Sequence, residues 1–354
     1  MLQQEHWDAL SVYLFVATTL PLLSILDLST VGTGQCSRDA LLATTAAAQR
    51  AEQLDYRRYW VAEHHNFPAV ASTSPAVLMA HLAASTSTIS VGSGGVMLPN
   101  HAPLAIAEQF AMLEALHPGR IDLGIGRAPG TDGRTALALR RGVRDDGPDA
   151  FPQNVLDVMG LLGDRRRDGG LDESFIATPV HTSTPTVVLL GSSDYSAQLA
   201  GMLGLPFSFA HHFAAAGAES AVAHYRAAFR PSALLEEPYV IVATAAIAAN
   251  TTEEAERIAL PGRLMTLNIR RNRMAPIPSI EEAEADPDRG QALMMSEDRT
   301  VGDTDYVVGE LAKLGENMGA SELMITTVTH SLDHRLASME LIAQAWSAKQ
   351  LDLS

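Results

Sequence analysis

Residues Ile89 to Pro103 read ISVGSGGVMLPNHAP. The run opens as a short strand and continues through Ser93-Gly94-Gly95 without leaving its apolar pattern. It ends at Pro99 and Pro103, where a helix can begin. Adjacent glycines in a strand cost conformational entropy and give no side-chain packing in return. They predict either a bulge or early turn, or a backbone against which something broad and flat lies, as a planar cofactor would. These residues alone leave both readings open.

Outward from this stretch, apolar runs of strand length alternate with longer helical patterns, the mark of parallel β/α architecture. Strands are expected over Leu22–Leu28, Arg58–Glu63, Ile89–Leu98, Ile121–Gly126, Thr186–Leu190, Pro206–Phe209, Tyr239–Ala248 and Glu322–Thr327. Helix starts are legible at Ser37, at Ser74-Pro75, at Pro103, and at Thr252 followed by Glu253 and Glu254. Pro118-Gly119 and Gly204 mark stops. Eight such units predict an α/β fold, a (β/α)8 TIM barrel with insertions at the C-terminal mouth; an open doubly wound sheet is the alternative. Two regions resist the alternation, Gly130–Gly147 and Arg270–Asp305. Both are expected as loops or excursions at the mouth, the second long enough for a mobile lid. With no internal repeat and no second domain in the pattern, residues 21–354 are read as one domain behind an extension of residues 1–20.

Composition narrows the function. A hydrophobic content of 47% over 354 residues is ample for a large core. The 41 acidic against 25 basic residues give a net charge of -16, which argues against nucleic acid or an anionic membrane surface as partner. Cys36 is the sole cysteine, so neither a disulfide framework nor a cysteine-rich metal site is available, and a reducing, cytoplasmic location fits. Ala9–Leu26 lacks charge and could be read as a signal or membrane segment. However, Glu5 and Asp8 precede it in place of Lys or Arg, and Pro21 interrupts it. An extra segment in front of the fold is the preferred reading.

In a barrel the chemistry sits where strands end at the carboxyl face. The second strand closes with Glu63-His64-His65. On extended backbone, adjacent histidines point to opposite sides, so the two are not expected to face the mouth together. One of them is either a hydrogen-bonded structural residue or a catalyst. The fourth strand closes on Arg127 between small residues, suited to an oxyanion or to a salt bridge with a neighbouring loop. The fifth closes with Gly191-Ser192-Ser193 and Ser196 at a helix start, an anion seat or simply a capped helix. Together these residues would surround one mouth, where a flat ring with a phosphate tail fits.

Several stretches resemble the bacterial luciferase-like flavin-dependent monooxygenases, of the type that receives reduced flavin from elsewhere. They are LLSILDLSTVGTG from Leu22, YWVAEHHN from Tyr59, the block from Val91 to Asp132, and LLGSS from Leu189. The likeness runs from Leu22 to about Trp346. It implies the barrel, with FMN at its carboxyl-terminal mouth, and a non-prolyl cis peptide between Gly94 and Gly95. It also implies phosphate ligands Arg127, Gly191, Ser192, Ser193 and Ser196, with His64 as the catalytic histidine acting near its ordinary pKa. Glu63, His65 and His101 would join the substrate pocket, along with the loops Asp27–Gly34 and Met265–Ile280. The family's flavin-side cysteine is replaced by Gly126, and Gln291–Val301 is short for the family's lid.

The activity implied is oxygenation of a small organic substrate by O2 through a C4a-peroxyflavin, with no metal. A separate NAD(P)H:flavin reductase is expected because no second nucleotide fingerprint is present. Self-association as a homodimer is also implied. The rivals are an F420-dependent hydride-transfer oxidoreductase, a non-catalytic flavin-binding subunit, and a metallohydrolase using His64, His65 and His101.

Overall fold

The computed structural model describes residues 20–140, 150–164, 174–180, 183–294 and 299–353; residues 1–19, most of the expected N-terminal extension, lie outside these. The described residues form ten strands: β1 (Leu22–Asp27), β2 (Arg58–Val61), β3 (Ser90–Ser93), β4 (Val96–Met97), β5 (Ile121–Gly126), β6 (Thr186–Gly191), β7 (Phe207–Ala210), β8 (Val240–Ala249), β9 (Arg299–Asp303) and β10 (Glu322–Thr326). Parallel pairing runs β1-β2-β3-β5-β6-β7-β8, and β10 closes the ring by pairing with both β8 and β1. Each of the eight strands anticipated from the sequence occupies one place in this ring. The fold is a (β/α)8 barrel, and the open sheet is excluded by the β8–β10–β1 closure. No helix among the described residues is long and apolar enough to cross a membrane.

One expectation needs correction. Ile89–Leu98 is not one strand: β3 stops at Ser93, the Gly94–Gly95 peptide is cis, and β4 resumes against β5 before a turn of 3-10 helix at Leu98–Asn100. Arg270–Asp305, expected as a loop or excursion at the mouth, is an excursion with structure of its own. It holds helices Ile280–Ala285 and Arg289–Met294 and then β9, which adds to the outer half of β8 from Ala245 to Ala249. Ser279 and Glu282 form a reciprocal capping box at the first of these helices. Ala283 and Ala292 anchor both against Leu260, Leu264 and Leu267 of the preceding helix, Thr252–Arg270. In Gly130–Gly147, a short helix runs over Gly133–Leu139, its first amides accepted by the Asp132 carboxylate. Residues 141–149 lie outside the described residues.

The barrel interior is filled unevenly. At the amino-terminal end Arg58 bonds Asp122 and Glu322, each at 2.9 Å, while Trp60 Nε1 and Tyr239 Oη donate to the same carboxylates. This pairing satisfies charges that would be costly alone. Leu26, Trp60, Val188, Ile241 and Met324 form the layer above. Higher still the walls are glycine and alanine, including Gly94, Gly126, Ala210, Ala243 and Ala245, where barrels ordinarily place branched side chains. A hollow results. Close approach at its base needs glycine: a Cβ on Gly124 would sit 2.0 Å from Ser93 O. Gly124→Ala is therefore expected to destabilise the protein by about 3 kcal/mol or more, read by urea unfolding. A wild-type midpoint would contradict this packing.

Outside the ring, Asp27 ties β1 and β2 to two helices. Its carboxylate accepts from Arg335 at 2.9 Å, Tyr59 Oη at 2.5 Å, Thr44 Oγ1 at 2.8 Å and Ser29 N at 2.9 Å. Burial pushes this carboxyl up, but the Arg335 charge and the hydroxyl bonds from Tyr59 and Thr44 outweigh it and hold the pKa below the ordinary value. A lowered folded pKa contributes stability that is present above the unfolded value, about 3.9, and lost as pH falls through the folded one. Arg335→Met should cost about 3–5 kcal/mol at neutral pH and move acid unfolding to higher pH, followed by circular dichroism. A loss under about 1 kcal/mol would mean the clamp contributes little.

Candidate active site

A cavity of about 1730 Å³ opens at the carboxyl ends of the strands. That exceeds the space one small ligand needs, and admits a tricyclic ring, its tail and a second molecule. His64, His65, Gly94, Gly95, Arg127, Gly191, Ser192, Ser193 and Ser196 all line it. The separated segments flagged in the sequence therefore meet at one hollow.

Its anion-binding corner is built from β5 and β6. The Arg127 guanidinium lies over the Tyr195 ring, 4.5 Å from its centroid, and has no carboxylate partner among the described residues. Among the described residues, the salt bridge that competed with anion binding in the sequence is not formed. Tyr195 sits in the first turn of the helix Asp194–Met202, between Ser193 and Ser196, so the stacking holds the cation beside that helix start. The Ser193 side chain makes no capping bond and stays available as a donor. A Cβ on Gly191 would come within 2.5 Å of Ser196 Cβ, so only glycine lets the turn fold this tightly. An oriented arginine, free hydroxyls and helix amides are what a phosphate monoester requires.

Gly94 and Gly95 border the cavity, yet a side chain there would first strike protein. The Gly94 Cβ would lie 2.5 Å from Leu26 Cδ1, and that of Gly95 2.8 Å from Gly124 O. Barrel packing thus requires these glycines whatever lies above them.

Glu63 and His101 do not line the cavity, which corrects their placement in the substrate pocket. Glu63 is buried behind the wall. Its Oε1 accepts from His65 Nε2 at 2.9 Å and His101 Nε2 at 2.8 Å, and its Oε2 from Met97 N at 3.0 Å. Burial raises this carboxyl, but the bond and charge of His101, then His65 and Met97 N, bring it below the usual range. The three contacts brace the end of β2 against the segment that follows Gly95. Among the described residues no three His, Cys, Asp or Glu side chains are grouped to hold a metal ion.

His64 and His65 both line the cavity, contrary to the alternation rule. The chain leaves strand geometry after Val61, so side chains beyond it no longer alternate. His65 is bonded to Glu63, whereas His64 Nδ1 is buried without a partner among the described residues. Burial, with a smaller push from His65, lowers the His64 pKa against the opposing pull of Glu63, which places it below the ordinary value expected from the sequence. Of the loop Asp27–Gly34 only Leu28 reaches the cavity, Asp27 being turned outward to Arg335. Met265, Thr266, Ile269, Arg270 and Met274 supply the wall expected from Met265–Ile280. Sequence reasoning passed over His212, which lines the cavity directly after β7.

Residues 23–322 match the family model for luciferase-like monooxygenases. This chain belongs to that family. A luciferase-like monooxygenase of Escherichia coli (strain K12) is 41% identical over 325 residues, covering 90% of this chain and 95% of that one. The N-acetyl-S-alkylcysteine monooxygenase of Bacillus subtilis (strain 168) is 34% identical over 334 residues, 91% and 97% of the two chains. Among solved structures, apo-MsnO8 matches this luciferase-like barrel with a TM-score of 0.83 and 33% identity, covering 94% of this chain and 98% of that one. Two more distant structures share the fold alone. One is the oxygenating constituent of the Pseudomonas putida 3,6-diketocamphane monooxygenase in complex with FMN, with TM-score 0.67 and 18% identity over 94% and 99% of the chains. The other is an F420-dependent secondary alcohol dehydrogenase with an F420-acetone adduct, with TM-score 0.66 and 14% identity over 92% and 99%. The luciferase-like fold thus houses FMN in one neighbour and F420 in another.

Proposed function

We propose that this luciferase-like protein is a monooxygenase that binds reduced FMN and uses O2 to oxygenate a small organic substrate. The observation that carries the cofactor reading is Arg127, unpaired by any described carboxylate and stacked on Tyr195 at the Ser192–Ser196 turn. Reduced FMN is supplied in this reading by a separate NAD(P)H:flavin reductase, and the chain acts in the cytoplasm as a homodimer.

The bound flavin would supply the reaction with O2, and the protein's own residues do the rest. Arg127 neutralises the phosphate, and the Ser192, Ser193 and Ser196 hydroxyls complete its hydrogen bonds. Leu26, Leu28, Met97, Leu190 and Met324 give the hollow apolar surfaces that exclude water. His64 Nε2 holds the proton that the reaction must manage; with its pKa lowered, the ring is neutral at physiological pH and can give or take that proton.

Anaerobic ultrafiltration against reduced FMN and reduced F420 tests the cofactor. Reduced FMN is expected to bind at least about tenfold more tightly, a difference of about 1.4 kcal/mol. The opposite order would favour the F420-dependent hydride-transfer reading. Oxygenation is tested by ¹⁸O2, whose label must appear in the product.

A further inference from the structure

β7 ends at Ala210, and His211-His212-Phe213 comes next at the cavity mouth. His212 and Phe213 both line the hollow, their ring centroids 4.3 Å apart. His212 Nδ1 lies 2.9 Å from Ala243 O of β8. A carbonyl oxygen only accepts, so the proton of the neutral ring resides on Nδ1 and Nε2 carries a lone pair. No described residue bonds that nitrogen. Burial, and after it the positive potential of His211, Arg299 and His64, brings the His212 pKa down to about 4 against the opposing effect of the Ala243 bond. The ring is therefore neutral through the physiological range.

His64 borders the same hollow, and its Nδ1 is buried with no hydrogen-bond partner among the described residues. Unlike His212, it has no described contact that fixes its tautomer.

We propose that His212 Nε2 accepts a hydrogen bond from the organic substrate, and that this oxygenase takes small molecules carrying an O–H or N–H group in preference to analogues that lack one. The proposal rests on the oxygenase reading for the chemistry after binding, but the tautomer of His212 is a property of the protein alone. His212 positions the substrate; the flavin and His64 conduct the chemistry.

The test is ¹⁵N-histidine-labelled protein examined by long-range ¹H–¹⁵N correlation, with His212 assigned from the signal lost in His212→Asn. Asparagine can still donate to Ala243 O through its amide, so the fold is expected to persist. In the FMN-free protein the ring should be neutral and protonated on Nδ1 from pH 5 to pH 8. A proton on Nε2, or titration near the ordinary histidine value of about 6.5, overturns the proposal. Phenol and anisole are then added, with and without FMN. Phenol, which has a donor, should move the Nε2 resonance and leave Nδ1 in place, and anisole should move neither. Equal effects of the two probes overturn the assignment. If FMN alone moves Nε2, the acceptor serves the ring and the substrate preference falls. Failure to bind FMN at all counts against the oxygenase reading, while the probes in FMN-free protein still decide the acceptor.

Discussion

Arg127→Ala is expected to raise the Kd for FMN by about 100-fold or more while changing the Kd for riboflavin by less than about threefold. Charge-assisted hydrogen bonds contribute about 1.5–3 kcal/mol each, and a guanidinium facing a phosphate makes two. Riboflavin shares the ring and ribityl chain but lacks the phosphate, so it registers only the indirect effects of the substitution. The guanidinium is already stacked on Tyr195 and has no described carboxylate to leave, so little reorganisation opposes binding. Fluorescence titration of both flavins against both proteins measures the difference. Equal losses for the two ligands would place the phosphate elsewhere.

His64→Ala is expected to act on the other half of the site. FMN affinity should stay within about threefold, because His64 is not part of the phosphate corner. Oxygenated product per reduced FMN consumed should fall about 10²- to 10⁴-fold, the range for a positioned proton-transfer group. The measurement applies to any substrate that the wild-type protein oxygenates. With the His64 pKa lowered by burial, the neutral ring persists somewhat below the usual histidine range, so wild-type activity should hold to mildly acidic pH before it drops. Unchanged product yield in the variant would remove His64 from the chemistry.

Much of this architecture is legible in the chain, for identifiable reasons. Parallel strands buried on both faces leave apolar runs, and β1, β6, β8 and β10 announce themselves that way. The hollow is written there too: VIVATAAIAA in β8 turns from branched residues to alanine as it approaches the mouth. β9 escapes a reading by pattern because Arg299-Thr300-Val301-Gly302-Asp303 has no apolar periodicity of its own and becomes a strand only by adding to the free outer half of β8. The helices after Arg270 are hidden by Pro276, Pro278 and Pro287, which lie outside both helices and do not break them.

Site residues are harder to sort than strands. Alternation separates inward from outward only while the backbone stays extended, and it fails at Val61, just before Glu63, His64 and His65. That His64 and His65 both meet the cavity, and that His65 also braces Glu63, is decided by that irregular segment and by His101, remote in sequence. His212 has a usable signal, a histidine directly after a predicted barrel strand, where side chains reach the mouth.

The most direct test of the central claim is a crystal structure of the protein soaked with FMN. The phosphate is expected within hydrogen-bonding distance of Arg127 and the Ser192–Ser193 turn, with the tricyclic ring inside the cavity bordered by Gly94, Gly95 and His64. A flavin bound outside that hollow, or a phosphate with no contact to Arg127, would contradict it.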